Sequence, residues 1–361
     1  MSSKRAAPIA APALALLMSA TSASAQPSIP EPDYVLSATP ETVHWGYFSP
    51  DLDPVLTIES GDIVRIETVT PVGFPMDDPA AYAEANGLPI TDSVAELIEI
   101  IANVENEGVH LLTGPIFIEG AEPGDMVEIR IHDVSVRAPY YGVNLTSTRG
   151  GTLPGIVPEE GWSRVFHLDT ERGVIPFSDT IEVPLAPFMG IMGMSPTERV
   201  PTPPPGRHGG NMDLKELTSG TTLFLPVLVE GGLFSTGDGH AAQGDGEVNL
   251  TAMEAPLEIT AEFILHKGVE MNFPRVETAT HFIPMGLDED LNLAAEYAVE
   301  ESIDFLSREF GLSTMDAYSL TSLGVDLEVS QIVDQVKGIH AMIPKSLFLD
   351  LEDDFWASAG Q

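Results

Sequence analysis

The sequence predicts an α+β fold that is predominantly β, with most of its longer helices in the C-terminal portion. Turns are frequent, because the 361 residues include 32 Gly and 30 Pro. Two apolar segments with strand character lie at 221–230 (TTLFLPVLVE) and 257–266 (LEITAEFILH). From residue 288 the apolar spacing changes to a helical period. With 43% hydrophobic residues, the chain is long enough to bury a substantial core.

The first residues have the composition of a secretory signal peptide. Lys4 and Arg5 precede an apolar run at 7–18, and residues 23–25 (Ala-Ser-Ala) have the A-x-A form of a cleavage site. The apolar run is too short, and too interrupted by proline, to be a convincing membrane span. We therefore expect an exported protein, periplasmic or secreted, whose mature chain begins at Gln26.

Charge and cysteine content argue against several classes of protein. The chain has 55 Asp and Glu against 16 Lys and Arg, a formal net charge of -39, which disfavours binding to nucleic acid or to an anionic membrane surface. It has no cysteine, which rules out disulfides, a thiolate nucleophile and a Cys-ligated metal. The expected partner is a small molecule.

A β-rich catalytic domain is expected over residues 26–287. Two of its segments, 59–66 and 122–129, share the pattern E-[SP]-G-D-x-V-x-I, in which a Gly-Asp turn precedes an alternating strand. This echo indicates either a duplicated β unit or convergent turn chemistry. Earlier in the chain, His44 beside Trp45 is either a ligand or base at a strand end, or part of a packed aromatic edge.

The segments that follow the first unit differ in regularity. Helical spacing of apolar residues predicts helices at 80–86 and 93–103. Residues 139–205 are rich in Gly and Pro, which indicates stiff, extended backbone. They lead into 207–213 (RHGGNMD), which is either a linker that ends in a turn or, as we favour, a functional loop.

Residues 288–361 are expected to form a mixed helical and β portion that packs on the core. Apolar residues at 288–310 lie roughly on one helical face, with acidic residues opposite. A second helix is predicted at 313–322, opening on a serine N-cap, and strands are predicted at 325–333 and 338–344.

The stretch 231–254 carries the densest group of side chains that can bind a metal or exchange protons. They are Asp238, His240, Gln243, Asp245, Glu247 and Glu254, and glycines between them allow tight turns. The alternatives are a plain acidic turn or a calcium loop, although the ligand spacing of an EF-hand is absent. The strands on both sides place this cluster on a connection between strands, where a rigid sheet can hold catalytic groups.

Several segments together resemble the acetamidase/formamidase family. They occur in the family order between about residues 34 and 267: 44–48 (HWGYF), 114–116 (GPI), 120–125 (GAEPGD), 187–190 (PFMG), 208–213 (HGGNMD) and 237–247 (GDGHAAQGDGE), followed by Glu254. The segment 237–247 is the most specific of them. The resemblance implies a β-sandwich or barrel-type core, a homo-oligomer, and hydrolysis of short linear amides such as formamide or acetamide to carboxylate and ammonia.

The residues support this activity in one independent respect. A nitrilase-type amidase needs a cysteine nucleophile, and this chain has none. A Ser-Ser-Lys amidase needs a Gly/Ser-rich signature, which the sequence does not show. What remains is water activated by a metal or by a carboxylate.

Our hypothesis for the mechanism is metal-assisted hydrolysis. Asp213, Asp238 and His240 are the predicted ligands of a divalent ion, with His44 completing or bordering the site. Zinc is the expected metal and calcium is the alternative. Three protein ligands leave a position for water, whose pKa zinc lowers toward about 7.

The remaining polar residues of the matching segments are predicted to be catalytic. Glu247 or Glu254 would take the proton from water and pass it to the leaving nitrogen. Asn211, with the backbone amides at 209–210, would stabilise the oxyanion, and His208 would border the site. The carboxylates can exchange the roles of ligand and base.

Two other classes of protein stay open from the sequence. An exported binding protein for amide-like small molecules would keep the pocket and lack catalysis, although a neutral amide does not need so many carboxylates. A structural or interaction module would have neither a metal nor a small-molecule pocket.

Overall fold

The computed structural model describes residues 29–351, so the predicted signal peptide at 1–25 lies outside the described residues. The helices are α1 (Pro79–Ala85), α2 (Asp92–Asn103), α3 (Leu291–Phe310) and α4 (Thr314–Gly324). The strands are β1 (Tyr34–Leu36), β2 (Val43–Trp45), β3 (Tyr47–Phe48), β4 (Leu56–Ile58), β5 (Ile63–Glu67), β6 (Leu111–Ile118), β7 (Met126–Val136), β8 (Tyr141–Thr146), β9 (Trp162–His167), β10 (Val174–Ser178), β11 (Ile181–Pro184), β12 (Phe188–Gly193), β13 (Val200–Pro201), β14 (Gly209–Asn211), β15 (Thr221–Pro226), β16 (Phe234–His240), β17 (Leu257–His266), β18 (Arg275–Glu277), β19 (His281–Asp288), β20 (Asp326–Gln331) and β21 (Lys337–Pro344).

Most of these strands belong to two open sheets. A nine-stranded sheet has the order β1-β5-β17-β7-β15-β18-β19-β21-β20. A six-stranded sheet has the order β14-β12-β16-β6-β2, with β4 also paired to β6. The α+β, predominantly β class is therefore confirmed, but neither sheet closes into a barrel within the part of the chain that is described.

The largest hydrophobic cluster joins the two sheets. It contains Met192 and Phe234 from the six-stranded sheet together with Ile129 and Phe263 from the nine-stranded sheet. The rings of Phe234 and Phe263 meet edge to face with centroids 5.1 Å apart. This packing holds the six-stranded sheet, which carries the polar cluster, rigidly against the larger sheet.

The two segments that share a sequence pattern form the same local structure. In each, an aspartate side chain accepts a hydrogen bond from the backbone N–H three residues earlier, at 2.7 Å for Asp62 and 2.8 Å for Asp125. The strands that follow, β5 and β7, pair with β17 from opposite sides. The duplicated unit stays a prediction, since the same turn can arise twice.

The predicted helices are present. Helices α1 and α2 contribute to a second core cluster with Trp45, Leu111 and Tyr141. In the C-terminal portion α3 packs on β19 and β21, and Ser313 caps α4 by accepting a hydrogen bond from the N–H of Asp316. No helix within residues 29–351 is long and apolar enough to cross a membrane.

The C-terminal portion is continuous with the large sheet. Strand β19 spans the predicted domain boundary between 287 and 288, and β21 and β20 extend the sheet from it. The division of the chain into domains stays a prediction.

Candidate active site

The central stretch begins as a buried strand and not as a connection. Every residue of β16 (Phe234–His240) is buried, and the strand pairs with β12 and β6. The predicted connection is therefore wrong for this half of the cluster. A Cβ at Gly237 or Gly239 would meet the backbone oxygen of Leu111 or of Ala255, so close strand packing requires glycine at both positions. The same glycines resemble turn residues when only the sequence is considered.

The rest of the stretch leaves β16 and returns beside it. The N–H of Ala241 donates to the carbonyl of Met253 at 2.8 Å, and the N–H of Met253 donates to the carbonyl of Ala242 at 3.0 Å. An isolated bridge then pairs His240 with Glu254. The segment between these residues therefore returns the Glu254 carboxylate to the end of β16, beside His240.

His240 is the centre of the polar cluster and is fully buried. Its Nε2 atom lies 3.3 Å from Asp238 Oδ2 and 3.3 Å from Glu254 Oε1. Each of these residues offers a ligand atom, and the three atoms lie within 4.8 Å of one another. Neither His240 Nε2 nor Glu254 Oε2 has a hydrogen-bond partner among the described residues. Buried polar atoms are rarely left without partners, so this group fits a bound cation.

Gln243 determines which nitrogen of His240 is available. The Gln243 amide nitrogen donates to the backbone carbonyls of Asp213 at 2.8 Å and Ser330 at 3.2 Å, so its Oε1 is the acceptor on the other side. That Oε1 lies 3.0 Å from His240 Nδ1. The Nδ1 atom therefore donates its proton to Gln243, and Nε2 is the nitrogen that faces Asp238 and Glu254. Its lone pair becomes available there when a metal ion takes the place of the Nε2 proton.

A group of carboxylates lies on the opposite side of the imidazole. Asp213 Oδ1 is 3.8 Å from His240 Nδ1, and Glu247 lies within the same 4.8 Å group. Asp334 lies against both carboxylates. Because His240 Nδ1 is a donor here, this group offers carboxylate oxygens only, and the nitrogen-containing ligand set is the one at Nε2.

The two sides of the cluster differ in their electrostatics. Burial raises the pKa of Asp213 and of Glu247 well above the usual range, and the neighbouring carboxylates add to this effect. Burial also raises the pKa of Asp334 to about 7. Buried like charges repel one another, so without a bound cation some of these carboxylates are protonated.

At the Nε2 side the charges attract. Burial opposes charge on His240, but Glu254 and Asp238 outweigh it and raise the pKa of the imidazole. Burial likewise opposes charge on Asp238, but His110 and His240 hold the pKa of this carboxyl well below its usual range. Burial raises the pKa of Glu254 to about 7. A metal ion at this position would replace the imidazolium proton as the positive charge.

Three site carboxylates lie on left-handed backbone, which is unusual for residues other than glycine. The φ angles are 47° at Asp213, 53° at Asp238 and 46° at Glu247. Such conformations persist only where the surrounding structure holds them, and they are common at functional sites. Gly190 on β12 adds a close approach, because its backbone leaves room for Asp213 and His240 to meet above it.

Two residues of the site are not indicated by the sequence pattern. His110, before β6, places its Nε2 3.9 Å from Asp238 Oδ2 and its Nδ1 2.9 Å from Thr202 Oγ1. Asp334 follows β20 in an irregular segment. Each is a single residue distant from the other site residues in sequence, and only tertiary pairing brings it to the cluster.

The predicted site residues divide between the cluster and its surroundings. The structure brings together Asp213, Asp238, His240, Glu247 and Glu254. Asn211, on β14, lines the adjacent cavity and its buried Oδ1 has no partner among the described residues. The assignment of individual roles stays a prediction.

The two other predicted histidines do not join either ligand group. His44 Nδ1 lies 3.3 Å from the carbonyl of Gly114, and the His208 ring packs edge to face on Phe48 with centroids 5.1 Å apart. Burial lowers the pKa of each imidazole to about 4, so both are neutral near pH 7. The Nε2 atom of each ring is buried without a partner among the described residues, but neither ring belongs to a group of ligand atoms.

The C-terminal portion contacts residues 243–246, which connect β16 to Glu247. The N–H of Gly246 donates to the carbonyl of Ser330 at 3.0 Å, and the N–H of Ile332 donates to the carbonyl of Gly246 at 3.2 Å. Together with the Gln243 amide bond to Ser330, these contacts position Glu247 against Asp334.

A separate acidic group lies near this contact but is already neutralised. It consists of Glu216, Asp245, Glu328 and His340. Lys215 Nζ lies 2.6 Å from Asp245 Oδ2 and 2.7 Å from Glu216 Oε1, in the position that a cation would take. The group is best described as a salt-bridge network.

A cavity of about 400 Å³ opens onto the main cluster. Asp238, Glu247, Glu254 and Asp334 line it on the polar side. The other lining side chains are mainly apolar and come from several loops and strands. A concave apolar pocket with a few convergent polar groups is the usual form of a small-molecule site.

Comparison with known proteins identifies the family of this chain. A model of the acetamidase/formamidase family matches residues 36–203 and 197–350. The formamidase of Methylophilus methylotrophus is 26% identical, over 83% of this chain and 88% of the relative. The crystal structure of an acetamidase from Bacillus halodurans superimposes with a TM-score of 0.73 at 30% identity, covering 87% of this chain and 98% of the other. An acetamidase from Yersinia enterocolitica gives a TM-score of 0.75 at 28% identity, with coverage of 88% and 94%. The chain belongs to the acetamidase/formamidase family.

Proposed function

We propose that this protein hydrolyses a short linear amide, of the formamide or acetamide type, to a carboxylate and ammonia with water activated at a divalent metal ion. The chain is an amidase, a hydrolase of carbon–nitrogen bonds in linear amides, as its family membership and its formamidase and acetamidase relatives indicate. The metal and the individual residue roles are the new elements of this proposal.

The observation that supports the metal most strongly is the geometry at His240 Nε2. The lone pair of this atom converges with Asp238 and Glu254 oxygens, each 3.3 Å away, and Gln243 fixes the tautomer that this requires. In metal sites, a hydrogen bond donated by the other ring nitrogen orients the histidine ligand in this way. We therefore assign Asp238, His240 and Glu254 as the ligands.

The donor set favours zinc over calcium. Zinc binds both imidazole nitrogen and carboxylate oxygen, usually through three protein ligands in catalytic sites, whereas calcium prefers a larger number of oxygen ligands. When bound, such an ion lowers the pKa of water and polarises a carbonyl oxygen. Three protein ligands leave the cavity side of the site open to substrate and water.

The other residues bind the amide and move protons. Glu247 is outside the Nε2 group and lines the cavity, so it can take a proton from the attacking water and deliver it to the leaving nitrogen. The water oxygen bonds to the carbonyl carbon, the C–N bond breaks, and the nitrogen leaves as ammonia. Asn211 Oδ1, which lacks a partner, can accept a hydrogen bond from the substrate's NH₂ group.

The test is ammonia release by the purified protein with formamide, acetamide and propionamide, before and after chelation. We expect release that chelation abolishes and added zinc restores. His240→Ala should lose both bound metal and turnover, while His167→Ala, which changes an exposed histidine on β9, should keep both. Turnover that survives complete metal removal would contradict the metal assignment. Saturable amide binding without product would instead support the binding-protein alternative.

Export and self-association also belong to this proposal. The signal peptide at 1–25 predicts a periplasmic or secreted location, which N-terminal sequencing of the exported protein would test by showing Gln26 as the first residue. Homo-oligomerisation is proposed from family membership alone, and light scattering of the purified protein would test it.

A further inference from the structure

We infer that, besides a short amide, the cavity accepts primary amides whose acyl group is apolar and much larger than acetyl, about the size of hexanoyl or benzoyl, and that these are hydrolysed with a higher kcat/KM. This inference deepens the proposed function and rests on it. Its evidence is the size of the cavity, the chemistry of its wall and the distribution of its charges.

The cavity is far larger than a short amide. Its volume of about 400 Å³ falls in the range of roughly 300–1,000 Å³ that is typical of pockets for drug-sized ligands. Formamide and acetamide, held by their amide group at the carboxylate cluster, would leave most of this space to water. A larger acyl group would displace that water from apolar surface.

The wall of the cavity outside the carboxylates is mainly apolar and comes from separate parts of the chain. Its main side chains are Trp45, Val72, Met76, Val109, Leu145 and Leu250. Met76 and Val109 are 45% and 54% exposed, although both are apolar, and both line this cavity. Single exposed apolar residues are ordinary, but apolar side chains that converge on a catalytic cavity form a binding surface.

Charge limits the kind of acyl group. The polar side of the cavity carries Asp238, Glu247, Glu254 and Asp334, and none of the described residues that line it is Lys or Arg. A carboxylate on the acyl group would enter a cavity with several acids and with no Lys or Arg side chain in its lining to form an ion pair with it. The preferred acyl group is therefore uncharged.

The first experiment compares kcat/KM for acetamide, hexanamide, benzamide and succinamate, with zinc present. Burying a methylene is worth roughly fourfold in kcat/KM, so hexanamide should exceed acetamide at least tenfold even with incomplete burial. Succinamate should be the poorest substrate of the four. A steady fall in kcat/KM from acetamide to hexanamide would overturn the inference and leave the proposed function intact, whereas no turnover of any amide would reject both.

A variant tests whether this wall is responsible. Val109→Trp fills the opening from an exposed position, so we expect the hexanamide-to-acetamide ratio of kcat/KM to fall at least tenfold. Met76→Trp fills the same opening from another segment and should act in the same direction. The matched control is Val35→Trp, on β1, where the residue is 49% exposed and outside the cavity lining. An unchanged ratio in both folded wall variants would overturn the inference.

Discussion

Replacing Gly190 by alanine tests whether the site residues need the close packing that this glycine allows. A Cβ on Gly190 would lie 2.7 Å from Asp213 Oδ1, 2.7 Å from His240 Cε1 and 2.9 Å from the Asp238 carbonyl oxygen. The φ angle of Gly190 is not in the left-handed region, so alanine meets no backbone strain of its own. The effect of the substitution is therefore steric and falls on the cluster.

The size of the effect follows from these distances. Ordinary contacts of a Cβ begin at 3.4 Å, so the Asp213 oxygen and the imidazole must each move by about 0.7 Å. Functional groups need to be held within about 0.5 Å of their productive positions, and a displacement of about 1 Å can cost on the order of 100-fold in rate. We expect kcat/KM to fall about 100-fold, and stability to fall by about 1–3 kcal/mol from overpacking.

The assay is ammonia release with acetamide, combined with metal content and thermal unfolding. Gly244→Ala is the matched control, because it lies in the same central region and its Cβ would have nothing within 4 Å. We expect this control to keep wild-type values. If folded Gly190→Ala kept the kcat/KM and metal content of the wild type, the close packing of Asp213 and His240 against Gly190 would not be needed for activity, and the reasoning would be refuted.

Three further predictions address the cluster and its surroundings. Gln243→Leu removes the acceptor of the His240 Nδ1 proton, so zinc affinity should fall roughly 10- to 100-fold in a competition titration with a chelator, and unchanged affinity would contradict the tautomer. Asp334→Asn removes one of the clustered carboxylates, so the metal-free variant should unfold a few degrees above the metal-free wild type while its activity falls; a lower unfolding temperature would show that repulsion is not the dominant effect. Burial lowers the pKa of His208 to about 4, so between about pH 6.5 and 4 the unfolded chain binds a proton that the folded chain does not, and stability falls as the pH falls through this window. Urea unfolding at pH 7 and pH 4.5 should show a loss that His208→Gln reduces by about 2–3 kcal/mol, and an equal loss in the variant would show that His208 is not responsible.

Much of the fold could be predicted because its elements are amphipathic and have clear boundaries. Strand β17 occupies the predicted residues, and the serine cap of α4 is where the sequence places it. The sequence also groups Asp238, His240, Glu247 and Glu254, which the structure brings together, because they are dense in one short stretch. Local patterns are reliable where burial and periodicity agree.

The rest depends on contacts between distant segments. Strand β16 was not predicted, because Gly237 and Gly239 indicate a turn unless one knows that Leu111 and Ala255 pack against them. His110 and Asp334 carry no local signature. Each is a single polar residue next to a strand, and it reaches the cluster only when that strand pairs in the sheet. The closed barrel that the resemblance allowed is replaced by two open sheets. The contribution of the C-terminal portion to the site also required the structure, because no motif marks it.

The contacts between Gly246 and the end of β20 have a consequence for the order of folding events. A chain with the predicted signal peptide leaves the export channel N-terminus first, so the central stretch emerges well before Ser330 and Ile332, which hold that stretch in place. The nascent chain can form β16 and the Nε2 group but cannot fix Glu247 or supply Asp334 until its last strands pair. Catalytic competence therefore arrives as one of the final steps of folding, and a chain that is truncated before β20 should accumulate as an inactive product.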